Sequence, residues 1–173
     1  MGALSFGKSL PRWAAGVVLA SALAVGHAQT LPATTGETLT GQPLALAQAV
    51  KGHSAVLIAS FSKDAGSGAD AWAKAVRQDS ALAGVAAYEA AMLEKAPGFI
   101  RGMIKSGLRK QVPVGVQDHF VVLTQDEPLW RSYFGVSTDK EPYVVLLDAS
   151  GRVLWHGHGD AQSLEPLLKA ALR

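Results

Sequence analysis

The stretch Glu141-Pro142-Tyr143-Val144-Val145-Leu146-Leu147-Asp148-Ala149-Ser150-Gly151-Arg152-Val153-Leu154-Trp155 decides the fold, with His156-Gly157-His158-Gly159 following it. An apolar run opened by a proline, a polar turn ending in glycine and a second apolar run predict two strands joined by a tight hairpin. Proline has no N–H to give to a sheet ladder, so Pro142 belongs at the start of its strand, and Gly151 supplies the positive φ that a short turn needs.

Working outward, Ser54 to Phe61 is a short apolar run with β-branched residues, read as a buried central strand. Trp72, Ala75, Val76 and Asp79 recur at helical spacing after Ser67-Gly68, and Val85 to Met92 reads as a second strand. Pro97 to Lys110 predicts an amphipathic basic helix. Its apolar residues are Phe99, Ile100, Met103, Ile104 and Leu108, expected to pack on the sheet. Arg101, Lys105 and Arg109 recur every fourth residue on another side. Gly98, Gly102 and Gly107 each weaken that helix by about 1 kcal/mol relative to alanine. Phe120 to Thr124 gives a third central strand, Glu127 to Phe134 a short helix, and Asp160 to Leu172 a closing helix with Leu164, Leu167, Leu168 and Leu172 as its apolar stripe. Near the front, Gly36 to Leu44 has strand spacing broken by Gly41-Gln42-Pro43, and Leu44 to Val50 suits a helical turn.

The order of elements around the proline-started hairpin resembles a thioredoxin-like domain. The resemblance implies a three-layer α/β/α sandwich with a mixed central sheet, here with an N-terminal extension and an inserted basic helix. It also implies that Pro142 is cis and faces a Cys-x-x-Cys pair at the start of the helix after the first central strand. The sequence has no cysteine, and that position reads Ser62-Lys63-Asp64-Ala65-Gly66-Ser67-Gly68. A hydroxyl neither ionises like a thiol nor forms a disulfide, so dithiol and peroxidase activity are excluded. In this loop Ser62, Asp64 or Ser67 is expected to cap the following helix, with Lys63 beside amides that suit an anionic group of a partner. Gly66-Ser67-Gly68 lacks the outer glycines of a serine-hydrolase elbow and the third glycine of a dinucleotide loop.

Three further segments are similar to the mitochondrial assembly factors of the ATP synthase membrane sector. They are Pro97 to Ile100; Ser106-Gly107-Leu108-Arg109-Lys110-Gln111-Val112-Pro113 with Asp118-His119-Phe120; and Pro142 to Trp155 with Gly159-Asp160-Ala161. The similarity runs over about Ser54 to Pro166. It departs at Leu154, where that family usually has an arginine. It implies a role in holding or assembling a hydrophobic membrane subunit rather than in redox chemistry.

The first residues carry Lys8 and Arg12, then Trp13 to Ala20, then Gly26-His27-Ala28. This basic, apolar and small-residue order is that of a secretory signal cleaved after Ala28. Uncleaved, it would be an N-terminal membrane anchor. Cleavage divides the chain into a signal at 1–28, an extension at 29–53 and the thioredoxin-like domain at 54–173, with a periplasmic or secreted location. Removing Lys8 and Arg12 from the 16 basic residues leaves 14 against 14 acidic ones. A neutral domain is poorly suited to phosphate backbones, so no nucleic-acid partner is expected.

The expected surface for a protein or peptide partner comprises Ser62, Lys63, Asp64, Phe99, Arg101, Lys105, Arg109, Lys110 and Pro142. An extended peptide would pair with the backbone beside the proline. The cations alternatively suit peripheral contact with an anionic membrane surface. No cofactor is expected. A second alternative is metal binding, since His156 and His158 project on one side of a strand with Asp160 close behind.

Overall fold

The computed structural model describes residues 30–161 and 164–171. The expected signal at 1–28 and the final leucine of the closing stripe, Leu172, lie outside the described residues. No helix among the described residues is long and apolar enough to cross a membrane.

Seven strands form one mixed sheet in the order β2-β1-β5-β4-β3-β6-β7. They are β1 (Thr35–Thr38), β2 (Pro43–Ala45), β3 (Ala55–Ser60), β4 (Ala86–Met92), β5 (Phe120–Leu123), β6 (Tyr143–Leu147) and β7 (Val153–His158). The helices are α1 (Leu46–Ala49), α2 (Gly66–Gln78), α3 (Gly98–Gln111), α4 (Glu127–Phe134) and α5 (Glu165–Ala171). β3, β4 and β5 run parallel, while β6 lies antiparallel against β3, Ala59 opposite Tyr143 and Ala55 opposite Leu147. β1 and β2 form a hairpin on the far edge, so residues 35–45 extend the same sheet, antiparallel to β5.

The central strands form because their residues are buried on both faces; every residue of β3, β5 and β6 is buried. β4 is the instructive case. Its alanines, Glu89 and Met92 favour helix locally, and its place between β3 and β5 overrides that preference. β7, on the edge, alternates half-buried and exposed, as an edge strand with one covered face should. The hairpin before it turns through Gly151 at φ 82°. Its Asp148 carboxylate accepts from the Ser150 and Arg152 amides at 2.9 and 3.0 Å.

Helices lie on both faces, giving the three layers. On one side Leu46 and Val50 of the α1 segment and Trp130, Tyr133 and Phe134 of α4 pack with Leu57, Tyr88, Tyr143 and Val145 in one core. The opposite face carries two cores. One joins Trp72, Ala73 and Val76 of α2 to Val56, Ile58, Leu146 and Leu167. The other sets Leu108 of α3 and neighbouring Val112 against Leu39, Ala91, Phe120 and Val122.

Candidate functional site

Between the two cores on that face lies a groove over the C-terminal halves of β3 and β4. Strand alternation points Ile58, Ser60, Glu89 and Ala91 toward it, α2 walls one side and α3 the other. It has two adjoining lobes that share Ser60, Lys63, Leu108, Gln111 and Phe120. One, of about 390 Å³, is polar at its base, with Ser67, Asp70 and Glu89. The other, of about 380 Å³, is lined by Ala91, Met92, Leu93 and Ile104.

Glu89 is only 5% exposed. One of its oxygens takes an Arg77 guanidinium N–H at 3.0 Å, and burial holds its carboxyl above the usual carboxylate range despite Arg77. Ser60 is 8% exposed. Neither the Ser60 hydroxyl nor the second Glu89 oxygen has a hydrogen-bond partner among the described residues. Asp70, half-buried, pairs with Lys74 on the next turn of α2 at 2.8 Å.

The loop that would carry a thiol pair ends the groove, and its geometry is tightly held. The Ser62 hydroxyl donates to the Asp139 carbonyl and accepts the Ala65 amide at 3.4 Å. Ser62 thus turns the chain into α2, although the cap residue itself, Ala65, has no side-chain capping bond. Asp139 is in turn gripped by the Arg131 guanidinium through two bonds of 2.7 and 2.8 Å. Arg131 also donates to buried Glu127 at 2.6 Å and lies 5.1 Å from the centre of the Phe61 ring. The Asp139 carboxyl is held below its usual value by Arg131. Burial pushes Glu127 up, but hydrogen bonds from Lys95 and Arg131 outweigh it and leave the carboxyl low. The segment leading to Pro142 is ordered by the Tyr143 hydroxyl, which takes the Ser137 and Thr138 amides at 2.9 and 3.0 Å and donates to the Thr138 carbonyl.

Pro142 borders the start of α2. A Cβ on Gly68 would stand 3.0 Å from the proline Cγ, so any side chain there would crowd the proline ring. No peptide bond among the described residues is cis, so Pro142 follows Glu141 through a trans bond. Its carbonyl already accepts the Gly159 amide at 3.0 Å. The backbone edge expected to pair with a peptide there is therefore partly taken.

Of the sequence-predicted partner residues, Ser62 and Lys63 line the groove, Pro142 lies against Gly68 of α2, and Asp64 is exposed in the loop between them. The basic helix departs from expectation. Arg101 donates to the carbonyls of Ala96 and Glu94 at 2.7 and 2.6 Å. Lys105 pairs with Glu37 of β1 at 2.7 Å, and Arg109 donates to the Leu39 carbonyl at 2.6 Å. Lys105 and Arg109 thus tie α3 to β1 and the residue after it, and Arg101 ties the helix start to the loop before it; Lys110 is exposed and without a partner among the described residues. Phe99 and Met103 are 77% and 71% exposed. The reason is angular. With 3.6 residues per turn, Phe99 and Met103 fall nearly opposite Leu108 and Val112, so a helix seated by Leu108 must expose them.

The histidines are separated from their expected third partner. His156 and His158 do share one side of β7, and His158 stacks on Tyr143 and bonds Glu141 at 2.7 Å. The chain then turns at Gly159, φ 85°, and Asp160 lies beside Gly68. The described residues contain no group of three His, Asp or Glu side chains placed to hold a metal. The Trp155 ring lies over Gly157 and contacts Trp72 with ring centres 6.0 Å apart, which accounts for a glycine there.

Sequence reasoning missed Ser60, Glu89 and Gln111. The signal for Glu89 was an ionisable residue inside the otherwise apolar run Ala86 to Met92, on the same strand face as Ala87 and Ala91.

The architecture matches solved structures. The pneumococcal exposed lipoprotein thioredoxin of Streptococcus pneumoniae is 14% identical, with 79% of this chain and 97% of that one covered at a TM-score of 0.54. A thioredoxin-family thiol:disulfide interchange protein from Chlorobium tepidum is 20% identical over 82% of this chain and 94% of that one, at 0.51. BsSco, of the Sco family of cytochrome c oxidase assembly proteins, is 12% identical over 81% and 92%, at 0.54. The chain has a thioredoxin-like α/β fold. No protein-family model and no curated protein matches the sequence.

Proposed function

We propose that this protein is an exported, thiol-free thioredoxin-fold binding protein that holds a segment of a polypeptide partner in the groove between α2 and α3. One observation carries the reading. At the position where the fold would carry its sulfur chemistry, the Ser62 hydroxyl is spent on the Asp139 carbonyl and the Ala65 amide, while the groove beside it stays open and mostly apolar at its α3 end. A rigid rim around an unfilled apolar trough suits contact rather than turnover.

Exposed Phe99 and Met103 extend the apolar surface along the outer side of α3. The similarity of three segments to assembly factors of the ATP synthase membrane sector supports a hydrophobic membrane-protein subunit as the client, and the basic and apolar order of residues 1–28 supports export. BsSco's membership of a family of oxidase assembly proteins is consistent with such use of the fold.

The test is site-specific photo-crosslinking. With a benzophenone side chain at Gln111 in the groove, envelope extracts should yield discrete crosslinked adducts. The same group at Asp148, in the hairpin turn at the other end of β6, should yield none. Equal adduct patterns from the two positions would refute the assignment.

A further inference from the structure

We infer that the groove selects its polypeptide occupant by charge, taking a segment whose apolar side chains fill the lobe under Ile104 and whose neighbouring lysine or arginine ends at Glu89 and Ser60. This rests on the polypeptide-binding reading above and adds to it the class of sequence that is bound.

Glu89 and Ser60 form the floor at 5% and 8% exposure, and both line the polar lobe. Arg77 satisfies one oxygen of the carboxylate from the α2 side. The other oxygen and the serine hydroxyl have no partner among the described residues. Neither atom is among the sealed, unpartnered polar atoms of the described residues, so both open to the groove, and an occupant that covers them must supply a donor. The charges around it decide which donor. Asp70, in the wall, is already paired with Lys74, and Lys63, the one cation among the described residues lining the groove, is exposed at the rim, so the free Glu89 oxygen is the acceptor that the floor presents. An anionic group entering the lobe would meet the free Glu89 oxygen at reduced dielectric; an ammonium or guanidinium N–H can donate to that oxygen and to Ser60. A lysine or arginine side chain also suits the shape, because its aliphatic stem can lie along the shared wall of Leu108 and Phe120 while its head reaches the floor.

The test uses the full chain and fluorescent peptides in which one lysine is scanned through a background of Leu, Met and Ser, against a matched panel with Gln in place of Lys. Fluorescence anisotropy should show the best lysine peptide binding about tenfold tighter than its glutamine counterpart, as a charge-assisted hydrogen bond warrants. Glu89→Gln should abolish that preference while leaving the glutamine peptide bound, and Ser60→Ala should reduce it. Equal affinity for both panels, with Ile104→Glu abolishing binding of each, would overturn the charge selection and leave the groove as a polypeptide site. A lysine preference that survives Glu89→Gln would also overturn it. If no peptide binds the wild-type protein, both this inference and the reading beneath it fall. The Lys-to-Gln comparison is made on the peptide, so it holds even where a protein variant folds poorly.

Discussion

On the face covered by α1 and α4, Phe61, Trp130, Tyr133, Phe134 and Tyr143 interlock edge to face around a single core. On the face covered by α2, α3 and α5, the core is broken in two, and the groove is the seam between the pieces. The side chains explain the difference. Large aromatic residues from α4 reach across several strands, and the hollow beside Tyr133 and Phe134, about 270 Å³, is smaller than either lobe of the groove. α3 offers Leu108 and Val112 to the sheet, turns Phe99 and Met103 outward and leaves a trough between itself and α2. The interlocked side carries stability, and the interrupted side has room for an occupant.

The largest expected effect breaks that comparison most directly. Trp130 is fully buried, so Trp130→Ala should cost about 3–5 kcal/mol in urea unfolding, whereas half-buried Ile104→Ala on the groove wall should cost about 1 kcal/mol or less. Similar costs for the two would mean that the groove wall is packed as tightly as the opposite core.

Next in size is the contrast between carboxylates. Glu127 and Asp139 have folded-state values below their ordinary 4.5 and 3.8. Their stabilisation is complete above those ordinary values and is lost as pH falls through the lowered ones. Glu89 behaves oppositely: its folded-state value lies above 4.5, so its contribution is present below 4.5 and lost as pH rises through the raised value. Asp139→Asn should therefore cost about 1 kcal/mol at neutral pH, a figure kept low by the 45% exposure of the side chain. It should also flatten the acid limb of a stability-against-pH curve. A variant as acid-sensitive as the wild type would remove Asp139 from that limb.

The smallest effect sharpens the description of α3. A Cβ on Gly102 meets nothing within 4 Å, so Gly102→Ala should raise stability by about 0.5–1 kcal/mol, read from the urea midpoint. A loss instead would mean that the helix needs its glycine.

Much of the fold was legible in the residues. The proline-started hairpin, the strand at Ser54 to Phe61 and the helix at Glu127 to Phe134 are local patterns whose period and turn chemistry leave few alternatives. The absence of cysteine by itself excludes thiol chemistry. The start of α2 was legible too, since Ser62 and Lys63 precede it and Pro142 lies against its Gly68, as the resemblance implies. The orientation of α3 was not, because both its apolar and its basic stripes were long enough to face inward, and only the position of Glu37 and the Leu39 carbonyl on the sheet edge drew the cations in.

The sequence by itself determined the strands, the order of elements and the chemistry that this loop lacks, because those depend on residue type and short-range spacing. Only the tertiary structure decided that Glu89 and Ser60, 29 positions apart in the chain, share the floor of one cavity, and that Asp160 sits with Gly68 rather than with the histidines. Both follow from which strands become neighbours and where the chain turns, and no local pattern encodes either.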